Sequence, residues 1–138
     1  MAALIDPLHI RSVHWAQMLD HVSRLDPEEA CGLMSCKNRR TKHVYLVENI
    51  LHSPVRFRMD AQQQVDAILE MEEQGDELLV IFHSHPGGPA VPSPTDVAGA
   101  TFPDAINLIW SKSDGVWNCR GFLIQAREIK EISIQVTD

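Results

Sequence analysis

The sequence predicts a mixed α/β domain in which a predominantly antiparallel sheet carries helices on its faces. Three observations carry that prediction. Short runs rich in β-branched and aromatic residues are separated by tight turn sequences, which joins consecutive strands as hairpins. Stretches with helical apolar spacing fall between these runs rather than in a block of their own. A single apolar run, Glu77-Leu78-Leu79-Val80-Ile81-Phe82, has the length and branching of a fully buried strand and sits in the middle of the order.

The elements follow in sequence. Leu8-His9-Ile10 is a short opening strand. Residues 11–24 place Val13, Ala16, Met18, Leu19 and Val22 at helical spacing. His14 and His21, about two turns apart on that helix, are assigned to solvent without a ligand role. Asp26-Pro27-Glu28-Glu29 ends the helix and opens a buried strand over residues 30–36. The turn Lys37-Asn38-Arg39-Arg40 leads into an antiparallel partner over 41–49. A polar connection containing Pro54 follows. Asp60 caps a helix over 60–73, with Val65, Ile68, Leu69 and Met71 as its apolar face and Gly75 as its stop. Beyond the central strand, a short helix over 94–101 stops near Pro103. Strands are predicted over 105–111 and 117–124, joined by the turn Ser113-Asp114-Gly115, and a last strand over 128–136.

Composition narrows the class. The 138 residues amount to one domain, taken as 1–138, with 44% hydrophobic and 22% charged residues. A net charge of −7 argues against a nucleic-acid-binding surface. No apolar run is long enough to span a bilayer, so no membrane partner is expected, and the absence of a secretory signal makes the cytoplasm the expected location. Three cysteines, Cys31, Cys36 and Cys119, without a Cys-x-x-Cys pair, fit reduced thiols. Cys31 and Cys36 lie in an apolar segment and are read as core residues. Two basic clusters stand out: Lys37 to Arg40 as a hairpin tip, and Arg56-Phe57-Arg58 as a wall suited to an acidic or carboxylate-bearing partner.

The densest chemistry follows the central strand, in His83-Ser84-His85 and Ser93-Pro94-Thr95-Asp96. Side chains alternate along a strand, so both imidazoles leave on one side with Cα atoms roughly 7 Å apart, close enough to share an ion. Ser84 points the other way and is assigned packing or hydrogen bonding. Ser93-Pro94 reads as the cap and first residue of a helix, which puts Asp96 in its first turn. Two histidines and a carboxylate make the three protein ligands typical of a catalytic zinc site. Asp96 can equally complete the helix cap and serve only the helix dipole. Hydrolysis also needs a base, and Glu28 and Glu29 both stand at the entrance to the buried strand. Spacing does not choose between them.

The chain resembles the JAMM metallopeptidases, the metal-binding branch of the MPN family. Their motif joins an upstream Glu to His-x-His, seven residues, Ser, two residues and Asp. Here it stands as His83-Ser84-His85, residues 86–92, Ser93 and Asp96, with Glu29-Ala30-Cys31-Gly32 as the upstream part, in which the family's Glu precedes a Gly by three positions. The resemblance also takes in residues 49–60 with their Arg-Phe-Arg-Met-Asp. It implies a cytidine-deaminase-like three-layer fold, with a curled, mostly antiparallel sheet between helices. It implies Zn2+ held by His83, His85 and Asp96, Glu29 as general acid/base, and Ser93 as donor to the oxyanion. It implies hydrolysis, as a peptidase or isopeptidase, after the C-terminal Gly-Gly of a ubiquitin-like or sulfur-carrier protein. Two other functions are weighed: a peptidase of short phage or cell-wall peptides, and a binding module that keeps zinc without hydrolysing anything. A hydroxyl engaged in the helix cap is expected to be unavailable to an oxyanion, which sets the two roles of Ser93 against each other.

Overall fold

The computed structural model describes residues 6–138. β1 (Leu8–Arg11) runs directly into α1 (Ser12–Leu25). β2 (Cys31–Lys37) and β3 (Arg40–Val47) form a hairpin. Then come α2 (Ala61–Glu73), β4 (Glu77–His85), α3 (Pro94–Ala98), β5 (Ile106–Ser113), β6 (Val116–Gln125), β7 (Glu128–Ile132) and β8 (Ile134–Thr137). β2 to β7 build a six-stranded sheet in the order β3-β2-β4-β5-β6-β7. Every pairing in it is antiparallel except β4 with β5. A parallel pair cannot be closed by a tight turn and needs a crossover. Residues 86–105, which hold α3, are that crossover.

Alternation along β4 divides the core in two. Val80 and Phe82 pack with Met34, Leu108, Trp110 and the Met18 and Val22 of α1. Ile81 packs against the other cluster, with Cys31, Leu33, Met59, Ala67 and Met71, on the α2 side. The sheet therefore lies between α1 and α2, as the fold class required. Cys31 and Cys36 are buried in these clusters, as read from their apolar setting. Burial pushes the Cys31 thiol up to about 12, with Glu29 adding to it. Among the described residues no helix is long and apolar enough to cross a membrane.

Several local expectations give way. His14 is buried and its Nδ1 lies 2.7 Å from Thr41 Oγ1. His21 is half-buried, with Nε2 3.1 Å from the Cys31 carbonyl oxygen. Positions 14, 18, 21 and 22 share one helical face, so the face that buries Met18 and Val22 must take both imidazoles, while Val13 is 48% exposed. In α2 the buried positions are Ala67 and Met71, and Val65 and Leu69 are about half exposed. The small Ala67 lets the helix approach the sheet on a neighbouring row. α3 ends at Ala98 instead of 101, capped by Gly99. The last predicted strand breaks at Ser133: β7 pairs with β6, while β8 leaves the sheet and pairs in parallel with β1.

Gly32 shows why a side chain is excluded beside the upstream glutamate. A Cβ there would stand 2.4 Å from the Phe82 ring and 2.6 Å from the Tyr45 carbonyl oxygen.

Candidate metal and catalytic centre

β4 delivers His83 and His85 to one side of the sheet, and the crossover brings Asp96 to meet them. Their Nε2 atoms are 3.0 Å apart, and Asp96 Oδ2 lies 3.2 Å from each. All three are nearly withdrawn from water, with side-chain exposures of 2%, 10% and 11%. A carboxylate oxygen of Glu29 and the ring nitrogens of His83 and His85 lie within 4.8 Å of one another. The fourth predicted residue therefore joins the cluster across more than fifty positions of sequence. Glu29, 4% exposed, projects from the chain just before β2, whose Cys31 pairs with His83.

Each part is held by its surroundings. Ser84, on the opposite face, is fully buried and accepts the amide of Ala30 at 2.8 Å, which locks the Glu29 segment to β4. His85 Nδ1 donates to the Pro89 carbonyl at 2.8 Å. In a neutral ring that bond leaves Nε2 with a bare lone pair facing the cluster. Ser111 on β5 donates to the Gly88 carbonyl at 2.7 Å and fixes the Pro-Gly-Gly-Pro turn. His83 Nδ1 has no hydrogen-bond partner among the described residues. Its ring is held instead by Phe57, stacked at 4.5 Å between centroids and 25° between planes.

Asp96 completes the helix cap without giving up the position that a ligand role requires. Its Oδ2 accepts the Ser93 amide at 2.8 Å, and Ser93 Oγ accepts the Asp96 amide at 3.0 Å, a complete capping box. The same Oδ2 faces both imidazoles. The supposed conflict at Ser93 also dissolves: a hydroxyl carries one donor and two acceptor sites, so Oγ can accept the amide and still donate its proton.

The charges in the cluster are tuned against each other. Burial opposes ionisation of Asp96, but the two imidazoles that face its Oδ2 overcome it and hold the carboxyl far below the usual range. Burial lowers the pKa of His83. Burial also works against a charged His85, yet Asp96, the Pro89 carbonyl and Glu29 together carry its pKa upward. Burial raises Glu29 to about 7, with Asp96 adding and His85 opposing. An ionised carboxylate and two imidazole nitrogens meeting at 3.0–3.2 Å attract positive charge to the point between them. Neighbouring corners of a tetrahedron with bonds of about 2.0 Å lie about 3.3 Å apart, so the spacing fits a small divalent ion.

A cleft of 280 Å³ opens beside the cluster. His83, Ser93 and Asp96 line it, with Arg56, Phe57, Arg58 and Phe102 among the other walls; Glu29 and His85 are not on its lining. The basic pair thus lies on a groove, as its sequence suggested. Two contributors were invisible in the sequence: Phe57 as the platform for His83, and Asn49, a 3%-exposed residue that hydrogen-bonds the Glu29 carbonyl. The family resemblance takes in their stretch, residues 49–60, but gave neither a role, since both act by tertiary contact.

Comparison with known proteins agrees with this geometry. Residues 11–120 match the family of prokaryotic homologues of the JAB domain. A desampylase of Pyrococcus furiosus is 35% identical over 86 residues, covering 62% of this chain and 61% of that protein. A CysO-cysteine peptidase of Mycobacterium tuberculosis is 36% identical over 100 residues, covering 70% of this chain and 68% of that protein. The chain thus spans about three fifths to two thirds of the length of these two relatives. A solution structure of a protein from Desulfitobacterium hafniense superposes with a TM-score of 0.83 at 32% identity, covering 94% of this chain and 92% of that one. By its sequence, its sheet and its clustered histidines and acids, this chain is a member of the prokaryotic JAB-domain family.

Proposed function

We propose that the chain is a zinc-dependent peptidase of the JAMM type that hydrolyses the amide bond after the C-terminal Gly-Gly of a ubiquitin-like or sulfur-carrier protein. The observation that carries the proposal is the triangle of His83, His85 and Asp96 with the buried Glu29 beside it. His83, His85 and Asp96 would hold the ion, which when bound supplies a Lewis acid that acidifies water and polarises a carbonyl.

The chain's own groups do the rest. Glu29, buried beside the cluster, takes a proton from the attacking water and returns it to the departing amine. Ser93 Oγ, oriented by the Asp96 amide that it accepts, donates its proton toward the oxygen that becomes negative as the carbonyl turns tetrahedral. The Pro89 carbonyl fixes the tautomer of His85. A tail of two glycines has no side chains to clash with Phe57 and Phe102, and it can bond through its backbone. The mycobacterial relative is a CysO-cysteine peptidase, which supports a carrier protein as substrate.

The test follows release of a C-terminal extension placed after Gly-Gly on a sulfur-carrier protein, read by mass spectrometry, for zinc-loaded natural protein and Glu29→Gln. Expected is cleavage after Gly-Gly that falls by about 100–10,000-fold in the variant, with metal content unchanged. Metal retained without cleavage of any carrier or short peptide would make this a binding module. Equal cleavage of a short Gly-Gly peptide would overturn the carrier as substrate.

A further inference from the structure

Residues 49–59 run over the site as a strap. Asn49 and Met59 form an isolated antiparallel bridge at its base, and Ile50 donates to the Arg58 carbonyl at 2.9 Å. The single amide of Asn49 then organises what lies between. Its Nδ2 donates to the Glu29 carbonyl at 2.9 Å and to the Arg56 carbonyl at 3.0 Å. Its Oδ1 accepts the amides of Leu51 at 3.1 Å and Arg58 at 3.0 Å. Two carbonyls on one end and two N–H groups on the other leave only one orientation of the amide that satisfies all four.

A second bond closes the arrangement, because the Glu29 amide donates to the Ser53 carbonyl at 2.8 Å. Both backbone polar groups of Glu29 are therefore taken by the strap. At its other end the strap presents Phe57 to the His83 ring, the ring whose Nδ1 lacks a hydrogen bond.

From these contacts we infer that Asn49 is a positioning residue, which sets Glu29 against the ligand cluster and, through the Arg56 and Arg58 backbone, sets Phe57 against His83. The inference rests on the proposed function for its catalytic readout, but the clamp itself is a structural statement. Most surface loops fray because their backbone bonds go to water. This one is tied at its centre by a buried side chain whose loss leaves two carbonyls and two amides without partners. A buried amide of this kind costs free energy unless it is fully bonded, so its presence here is explained by what it aligns.

The decisive variant is Asn49→Asp, nearly identical in shape, which keeps the acceptor for Leu51 and Arg58 but loses both donors. Expected is a fall in kcat of about 10–100-fold, the range for outer-shell partners of metal sites, with KM within about threefold and zinc content unchanged. Amide hydrogen exchange, measured by mass spectrometry on the same protein, is expected to rise in peptides covering 28–31 and 49–59 and to stay constant in β5 and β6. Phe57→Ala is expected to leave exchange at 28–31 as in the natural protein and to change the visible spectrum of the cobalt-substituted protein, through His83. Natural kcat in Asn49→Asp, or unchanged exchange at 28–31, would overturn the inference, as would exchange rising equally throughout the sheet. If the natural protein cleaves no carrier, the proposed function fails, and the exchange and cobalt readouts still decide the clamp.

Discussion

The site has two sides that are built in opposite ways. On one side, His83, His85, Ser93 and Asp96 fall within fourteen consecutive residues and assemble by local rules: strand alternation, a turn pinned at Pro89, and a capping box. On the other, Glu29 precedes β2 while Asn49 and Phe57 belong to the strap, and they meet the histidines only because β2 pairs with β4 and residues 49–59 cross above them. The local side carries the Asp96 carboxylate facing two imidazoles. In the proposed mechanism the distant side supplies the proton transfer and the alignment. The proposed function thus assigns metal binding and turnover to different parts of the chain, and variants should separate them.

The largest expected effect comes from Asp96→Asn. The amide oxygen can still accept the Ser93 N–H and keep the cap, but the negative charge that faces both imidazoles is gone. Metal content by emission spectroscopy should fall to a small fraction of natural. Hydrolysis should fall by more than about a thousandfold, beyond the span of a general acid/base alone at its low end. Retained metal would mean that Glu29 is a ligand and that the division between the two sides is wrong.

Ser93→Ala comes next. Loss of an oxyanion donor is worth about 100–1000-fold in kcat, and loss of the cap about 1 kcal/mol of stability. Measuring kcat beside the melting temperature separates the two. A change in melting temperature with natural kcat would leave Ser93 to the helix alone.

The smallest effect concerns the α1 face of the sheet, where His14 meets Thr41 of β3 and His21 the Cys31 carbonyl of β2. Burial lowers both pKa values below that of the free imidazole. The folded state therefore favours their neutral forms. Their contribution is complete above about pH 6.5 and is lost as the pH falls through the lowered values. In chelator-treated protein the melting temperature of the natural chain minus that of His14→Gln should be level from pH 8 to 7 and shrink below 6.5, because Glu29, raised to about 7, titrates alike in both. A difference that does not change with pH would clear His14 of the acid sensitivity.

How much of this was legible in the sequence follows the same division. The order of strands and helices could be read, and so could the convergence of His83, His85 and Asp96, because period-two alternation and capping chemistry act over a few residues. The choice of Glu29 over Glu28 needed a family motif. The structure supplies a reason for part of that motif, since Gly32 lies under Phe82. The resemblance marked the stretch 49–60, but the roles of Asn49 and Phe57 could not be read, because an asparagine after a strand and an aromatic in a loop look the same whether or not a distant backbone meets them. The faces of α1 and α2 were misjudged for a related reason. Apolar spacing marks a helix, but which row turns inward depends on its partners, and those admitted two histidines and an alanine.

The crossover between β4 and β5 has a consequence for how such a protein can change. Every candidate ligand in it is in place by residue 96, and α3 is complete two residues later. The next stretch, 99–105, contributes Gly99, Ala100, Thr101 and Phe102 to the cleft but nothing to the ligand triangle. Lengthening or rewriting that stretch alters what the cleft admits while the chemistry upstream stays intact. A few residues of connecting chain thus separate the candidate ligands from walls that can be rewritten to admit something else.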